Sequence, residues 1–192
     1  HGMRIVQWDN DASEEILTAS FDGVHLFDFD SAAQKFSKRQ LGKGHAGKRP
    51  DQGSSEVALG ALASQKMRFI ATIEPWHGNE VVVYEVGTPT TMGEERVVID
   101  SALKDGHALA CFDIEKDGND EIVAGERGGD KALRIYQFAA GSAEWEMALL
   151  DEGNMGAAGL FIADINKDGY QDIVAIGTAT HNVVWYENVP RV

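Results

Sequence analysis

Short apolar runs alternate with glycine-rich or polar turns along the whole chain. The pattern is clearest mid-chain. His107–Phe112 and Glu121–Gly125 are compact apolar runs, Leu133–Phe138 alternates around Ile135 and Tyr136, and Trp145–Leu150 is a fourth run. Period-two alternation in short runs bounded by turn residues predicts β-strands. The set also recurs: Asp113–Ala124 reads DIEKDGNDEIVA and Asp164–Ala175 reads DINKDGYQDIVA. A weaker copy runs from Gln7 to Thr18, and a further unit, Glu56 to Tyr84, keeps the strands without the acidic loop. Units of roughly fifty residues with four short strands each predict β-propeller blades. The expected fold is therefore all-β, a single region 1–192 with blades of four antiparallel strands at about 1–53, 54–105, 106–154 and 155–192. Phe27, Tyr84, Tyr136 and Tyr186 recur on the third strands and are expected to pack between blades. The fourth unit reaches only a third strand. This favours the C-terminal part of a larger ring of about seven blades over a compact four-bladed ring.

Charge narrows the function. The formal net charge is −14, from 17 Lys+Arg against 31 Asp+Glu, which disfavours nucleic acid as a partner. No apolar run approaches the roughly twenty residues of a membrane span, and no leader pattern is visible. Cys111, the single cysteine, lies in an apolar run and reads as a small core residue.

The strand order assigns two faces. In each blade the first strand runs from one face, called the top, to an acidic loop at the bottom. Loops joining second to third strands, and those joining successive blades, lie at the top. His1 and His107 stand at equivalent mouths of innermost strands, and Glu56 starts the innermost strand between them. Two imidazoles and a carboxylate suit a divalent metal such as zinc. The top also receives Glu74, Trp76, His77, Glu126, Arg127, His181 and the basic loop containing Lys48 and Arg49. His77, Glu74, Glu126 and His107 are candidate acid–base residues, and Trp76, Arg127, Arg49 and His181 are candidate substrate contacts.

The repeated D-x-[DN]-x-D-G-x-x-D-[IL]-V pattern resembles FG-GAP/VCBS repeats. More narrowly, Ser54–Ala58, Ala71–Asn79, Gly106–Leu109 and Trp185–Asn188 look like the propeller part of aldos-2-ulose dehydratase/isomerase-like proteins. That resemblance implies a lyase acting on keto-sugars such as 1,5-anhydrofructose, with metal ions. Those relatives carry cupin domains after the propeller. The residues here contain no cupin pattern, so only the propeller is compared.

Calcium wants several oxygens, which closely spaced acids on a tight turn provide. In the fourth repeat the candidate ligands are Asp164, Asn166, Asp168, Asp172 and the Tyr170 carbonyl; in the third, Asp113, Glu115, Asp117, Asn119 and Glu121. In the first, Gln7 and Ala12 replace an acid and the glycine, and weak binding or none is expected. Such sites lean towards an extracellular setting.

The primary expectation is a metal-dependent carbohydrate lyase that dehydrates a keto-sugar by proton abstraction and β-elimination. The alternatives are a non-catalytic, calcium-stabilised propeller that binds carbohydrate or protein, and a lyase for uronate polysaccharides. The expected partners are a small sugar or oligosaccharide, and further blades or domains.

Overall fold

The computed structural model describes residues 1–88, 91–92, 95–139 and 141–189. It contains four antiparallel sheets in chain order. The first holds β1 (Met3–Val6), β2 (Glu15–Ser20), β3 (Gly23–Asp30) and β4 (Lys35–Gly42). The second holds β5 (Glu56–Leu62), β6 (Met67–Glu74), β7 (Glu80–Thr88), β8 (Thr91–Met92) and β9 (Val97–Asp100), with β8 and β9 both pairing to β7. The third holds β10 (Gly106–Phe112), β11 (Glu121–Glu126), β12 (Leu133–Ala139) and β13 (Glu144–Asp151). The fourth has three strands, β14 (Ala157–Ala163), β15 (Asp172–Gly177) and β16 (Asn182–Tyr186). Each sheet is an up-and-down meander and forms one propeller blade. A 3-10 turn at Ala63–Gln65 stands where the other units carry an acidic loop.

Strand alternation explains how the blades stack. Val57, Ile70, Val82 and Tyr84 face the first blade and join Trp8, Leu17 and Leu26 in one core. Ala58, Phe69, Ala71 and Val83 point the other way and pack on Leu109, Ile122 and Tyr136 of the third. The second blade is thus apolar on both faces, as the unbroken run along β6 requires. Ala157, Ala175, Val184 and Tyr186 close the third interface against Ala108 and Leu133. The third-strand tyrosines do more than fill space. Tyr136 donates to Asp100 Oδ2 and Tyr186 to Asp151 Oδ2, both at 2.6 Å, tying each sheet to the outer strand of the sheet before it. Phe27, by contrast, lies on the open side of the first sheet, only partly buried.

Inner strands β1, β5, β10 and β14 line a shared cavity through Arg4, Ala58, Ala110 and Leu160, which marks the axis. The four sheets do not close into a ring. Met3 and Ile5 at one end, and Phe161, Val183 and Trp185 at the other, remain exposed. Among the described residues, no helix is long and apolar enough to cross a membrane.

Candidate metal centre

Two glycines bring the top-face histidines together. A Cβ on Gly2 would lie 2.9 Å from Glu56 Cα, so β1 can pass against β5 only without a side chain there. A Cβ on Gly106 would lie 2.8 Å from Ile73 Cγ2 and 3.0 Å from Gly78 O, and Gly106 N donates to that same oxygen. This close approach sets β10 beside the β6–β7 turn. A β-bulge follows: Gly106 pairs with Glu126 and Ala108 with Gly125, leaving His107 as the extra residue. Bulges re-aim side chains. The fourth sheet repeats the bulge at Ala158, but with no imidazole to present. His77 sits in the β6–β7 turn at φ 52°, and Asp105 precedes β10 at φ 57°. Left-handed backbone at non-glycine residues costs energy and clusters at functional sites.

The result is a three-histidine cluster. One ring nitrogen each of His1, His77 and His107 lies within 4.8 Å of the others. His77 Nε2 is 3.1 Å from His1 Nε2. The opposite nitrogens face oxygen acceptors: His1 Nδ1 lies 3.2 Å from Glu56 Oε1, His77 Nδ1 3.2 Å from Asp105 Oδ1, and His107 Nδ1 3.2 Å from Ala158 O. An acceptor on the far nitrogen fixes the tautomer that leaves the near nitrogen free to ligate. The donor set therefore fits a divalent transition metal with three imidazole ligands and an open position.

The two carboxylates differ. Burial raises the Glu56 pKa, against the opposing pull of Arg4 and His107. Partial burial also acts to raise the Asp105 pKa, but hydrogen bonds and charge from Arg127, followed by those of His77, outweigh it and hold it below the ordinary carboxylate value. Arg127 reaches Asp105 Oδ1 at 2.9 Å and lies 2.8 Å from His77 Nδ1.

Other expected residues take different places. Glu74 is fully buried, and its carboxylate is closed off. Oε1 accepts from Ser54, Thr72 and Tyr84 hydroxyls at 2.9, 2.8 and 2.8 Å, while Oε2 accepts from Arg96 Nε at 2.7 Å. Arg96 also pairs with Glu80. Glu126 is likewise buried, accepting from Lys104 N, Ala132 N and Arg134 Nη1. Both acids anchor loops and do not face the histidines, so neither stands as the acid–base group expected from sequence. Trp76 is stacked between Phe21 at 4.4 Å and His77 at 5.2 Å, with His1 at its edge. It remains half-buried, packed on Phe21 and on both histidines. Arg49 is exposed and lies over the Phe21 ring. His181 occupies the β15–β16 turn at φ 55°, with no ring contact or hydrogen bond to the cluster among the described residues. Asp105 and Phe21 were not singled out from sequence. Asp105, two positions before His107 in an inter-blade loop, carried the one available signal.

At the opposite face, Asp113 accepts from Asp117 N and Gly118 N, and Asp164 from Asp168 N and Gly169 N, so both loops share one turn. Glu121 and Asp172 accept from Ile114 N and Ile165 N. Burial pushes the Glu121 carboxyl up to about 7, with Asp117 and Glu115 adding to the rise. Asn119 spends its side chain on Ser64 N and Asp117, leaving its backbone carbonyl as the oxygen to offer a cation. Asn166 is held by Asp168 and Glu187.

Comparison with known proteins follows the same division of the chain. Residues 1–86 match the family described as aldos-2-ulose dehydratase, β-propeller domain. Residues 98–175 match the FG-GAP-like repeat. Aldos-2-ulose dehydratase from Phanerodontia chrysosporium is 27% identical over 202 aligned positions, which cover 93% of this chain. The chain spans 21% of the length of that relative. By repeat and by fold the chain is a β-propeller segment, and by these matches it is similar to FG-GAP-like repeats and to the propeller part of aldos-2-ulose dehydratase.

Proposed function

We propose that His1, His77 and His107 hold a divalent transition metal such as zinc, and that this segment supports a metal-dependent carbohydrate lyase. The substrate class is a keto-sugar, an anhydrofructose or aldosulose, dehydrated by loss of a proton next to the carbonyl and β-elimination of water. The observation that carries the reading is the convergence of three imidazole nitrogens whose far nitrogens each face an oxygen. A bound metal supplies a Lewis acid for a carbonyl oxygen. The chain supplies the rest. Elimination needs one group to take a proton and another to hold one for the departing hydroxyl. Carboxylates whose environments push their pKa values apart are suited to those two roles. Asp105, partly exposed and kept ionised beside His77, is the acceptor, and Glu56, more buried and with a raised pKa, is the proton holder. The loops after β10 and β14 hold calcium in a structural role.

The test is turnover by the zinc- or cobalt-loaded chain. Incubation with 1,5-anhydrofructose or an aldosulose is followed by the ultraviolet absorption of the unsaturated product. Product formation that disappears in His77→Ala and His107→Ala supports the lyase. A fully loaded chain that binds sugars without consuming them supports a non-catalytic binding propeller instead, and turnover of polyuronates alone would move the assignment to a polysaccharide lyase.

A further inference from the structure

The first blade sets two carboxylates opposite each other on neighbouring strands. The register pairs Ile16 with Phe27 and Leu17 with Leu26, so Glu15, one step earlier on β2, falls opposite Asp28 on β3. Asp28 in turn pairs with Ser37 of β4. Alternation puts this row on the face that bears Leu17 and Leu26, which packs on the second blade. Glu15, Asp28 and Ser37 line one cleft of roughly 250 Å³ with Trp8, Leu26 and Arg39.

Like charges directly opposite each other weaken a sheet. The third and fourth blades resolve the conflict internally. Gln137, opposite Glu121, is neutral and donates to Glu115. Glu187, opposite Asp172, accepts from Asn166 Nδ2 at 2.9 Å, and both Asp172 oxygens are engaged, by Ile165 N and Asn188 N. The first blade has no such donor. Glu15 is 1% exposed, its Oε2 accepts from Trp8 N at 2.6 Å, and its Oε1 is buried without a hydrogen-bond partner. A buried oxygen in that state calls for a donor. Burial raises the Glu15 pKa, against the Trp8 N–H, and Asp9, Asp11 and Asp28 add to the rise. Asp28 makes no side-chain hydrogen bond or ion pair among the described residues. Arg68 is committed to Trp8 O and Gln7 O. Arg39 lies over the Trp8 ring at 5.8 Å and makes no ion pair among the described residues.

We infer that this cleft binds the ammonium group of a small organic monoamine, held by Glu15 Oε1, the Asp28 carboxylate and the Ser37 hydroxyl. An ammonium is a compact charge with three donors, which suits three acceptors in one row. Its carbon stem lies against Leu26 and Trp8, as lysine stems do on apolar surfaces. Arg39 sets the other end of the ligand. A guanidinium without a carboxylate partner repels a second ammonium and favours a carboxylate tail. The ligand class is therefore an amino-acid-like amine. The site lies at the bottom of the first blade and is independent of the histidine cluster and of the lyase reading.

Calorimetric titration of the 192-residue chain tests this with 4-aminobutanoate, 1,4-diaminobutane and butanoate as probes. Excess calcium in every solution keeps divalent-cation binding out of the readout. The expected result is one-to-one binding of 4-aminobutanoate, weaker binding of the diamine and none of butanoate. Asp28→Asn should weaken 4-aminobutanoate about 10–100-fold, the worth of a hydrogen bond to a charged group. Ser37→Ala, at an exposed position, should weaken it a few-fold. Arg39→Met should invert the order of 4-aminobutanoate and the diamine. Asp28 and Arg39 are only partly buried, so these variants should keep the parental circular dichroism. Absence of saturable heat with both amines overturns the proposal, as does unchanged 4-aminobutanoate affinity in folded Asp28→Asn and Ser37→Ala. An order of affinities that persists in Arg39→Met overturns the assignment of the carboxylate tail.

Discussion

His77 Nε2 and His1 Nε2 lie 3.1 Å apart although 76 positions separate them in sequence. Each nitrogen also approaches the ring of His107, with centroids at 4.7 Å from His77 and 5.0 Å from His1. Three imidazoles this close share a proton or a metal. The carboxylates behind two of them favour the metal, since they hold the protons on the far side.

Cobalt makes that preference visible. Cobalt-loaded chain should show the visible absorption of a low-coordinate nitrogen site, and His77→Ala or His107→Ala should abolish it. Metal binding to imidazole expels protons, so affinity should fall on acidification. Asp105, with its depressed pKa, contributes its stabilisation above the ordinary unfolded value of about 3.9 and loses it only as pH falls through the lower folded value. It stays ionised from pH 5 to 8, so it does not account for loss of metal in that window. An absorption band that survives both substitutions would relocate the site.

Arg127 opposes metal loading. A guanidinium only donates, so its 2.8 Å contact with His77 Nδ1 is a hydrogen bond only when that nitrogen is bare. A metal on Nε2 requires Nδ1–H to donate to Asp105 instead. Arg127→Met should therefore tighten zinc binding several-fold, whereas Asp105→Asn and Glu56→Gln should weaken it by about 10–100-fold. Competition titration with a chromophoric chelator ranks the variants. Weaker binding in Arg127→Met would show that the arginine supports the loaded state.

Glu74 should matter for stability and not for metal. Glu74→Ala leaves the Arg96 charge and three hydroxyls without their acceptor. Removing one partner of a buried ion pair costs about 3–5 kcal/mol. Urea unfolding should show that loss, with the cobalt spectrum intact in the remaining folded protein. Glu74→Ala with parental stability but no turnover would restore it as a catalytic group.

Gly106→Ala separates position from chemistry. The added methyl meets Ile73 and the Gly78 carbonyl, so β10 must move away from the His77 turn. Zinc affinity should drop by at least the 10–100-fold of a lost supporting contact, although no ligand is altered. Unchanged affinity would show that the cluster adapts.

Chelation of calcium should lower the melting temperature, and Asp168→Asn should reduce the shift that calcium restores. A melting temperature indifferent to calcium would make these loops self-sufficient turns.

The blades were legible because the repeat states them: Asp113 and Asp164 head nearly identical segments, and the alternation along Leu133–Phe138 is that of a strand. The strand order also placed His1, His77, His107 and Glu56 at one rim. Glu74 and Glu126 misled because their isolation depends on Arg96, Tyr84 and Arg134, contacts made across strands and invisible in a linear pattern. The partner of Trp76 was equally hidden, since Phe21 comes from another blade to stack on it. The internal hydrogen bonds of the first acidic loop were not legible, because position-by-position matching gives no weight to a glutamine amide that donates to the loop itself.

The open stack of sheets has a thermodynamic corollary. Where layers cohere mainly with their neighbours, cohesion is largely a chain of pairwise contacts, and the outermost layers of this segment are held mostly from one side. The first and fourth sheets should therefore exchange their amide hydrogens ahead of the second and third. His1 belongs to a layer prone to fraying, whereas His77 and His107 belong to the two best secured. An ion gripped by all three would act as a rivet through the weakest joint, slowing exchange in β1 and β2 far more than in β14 and β15.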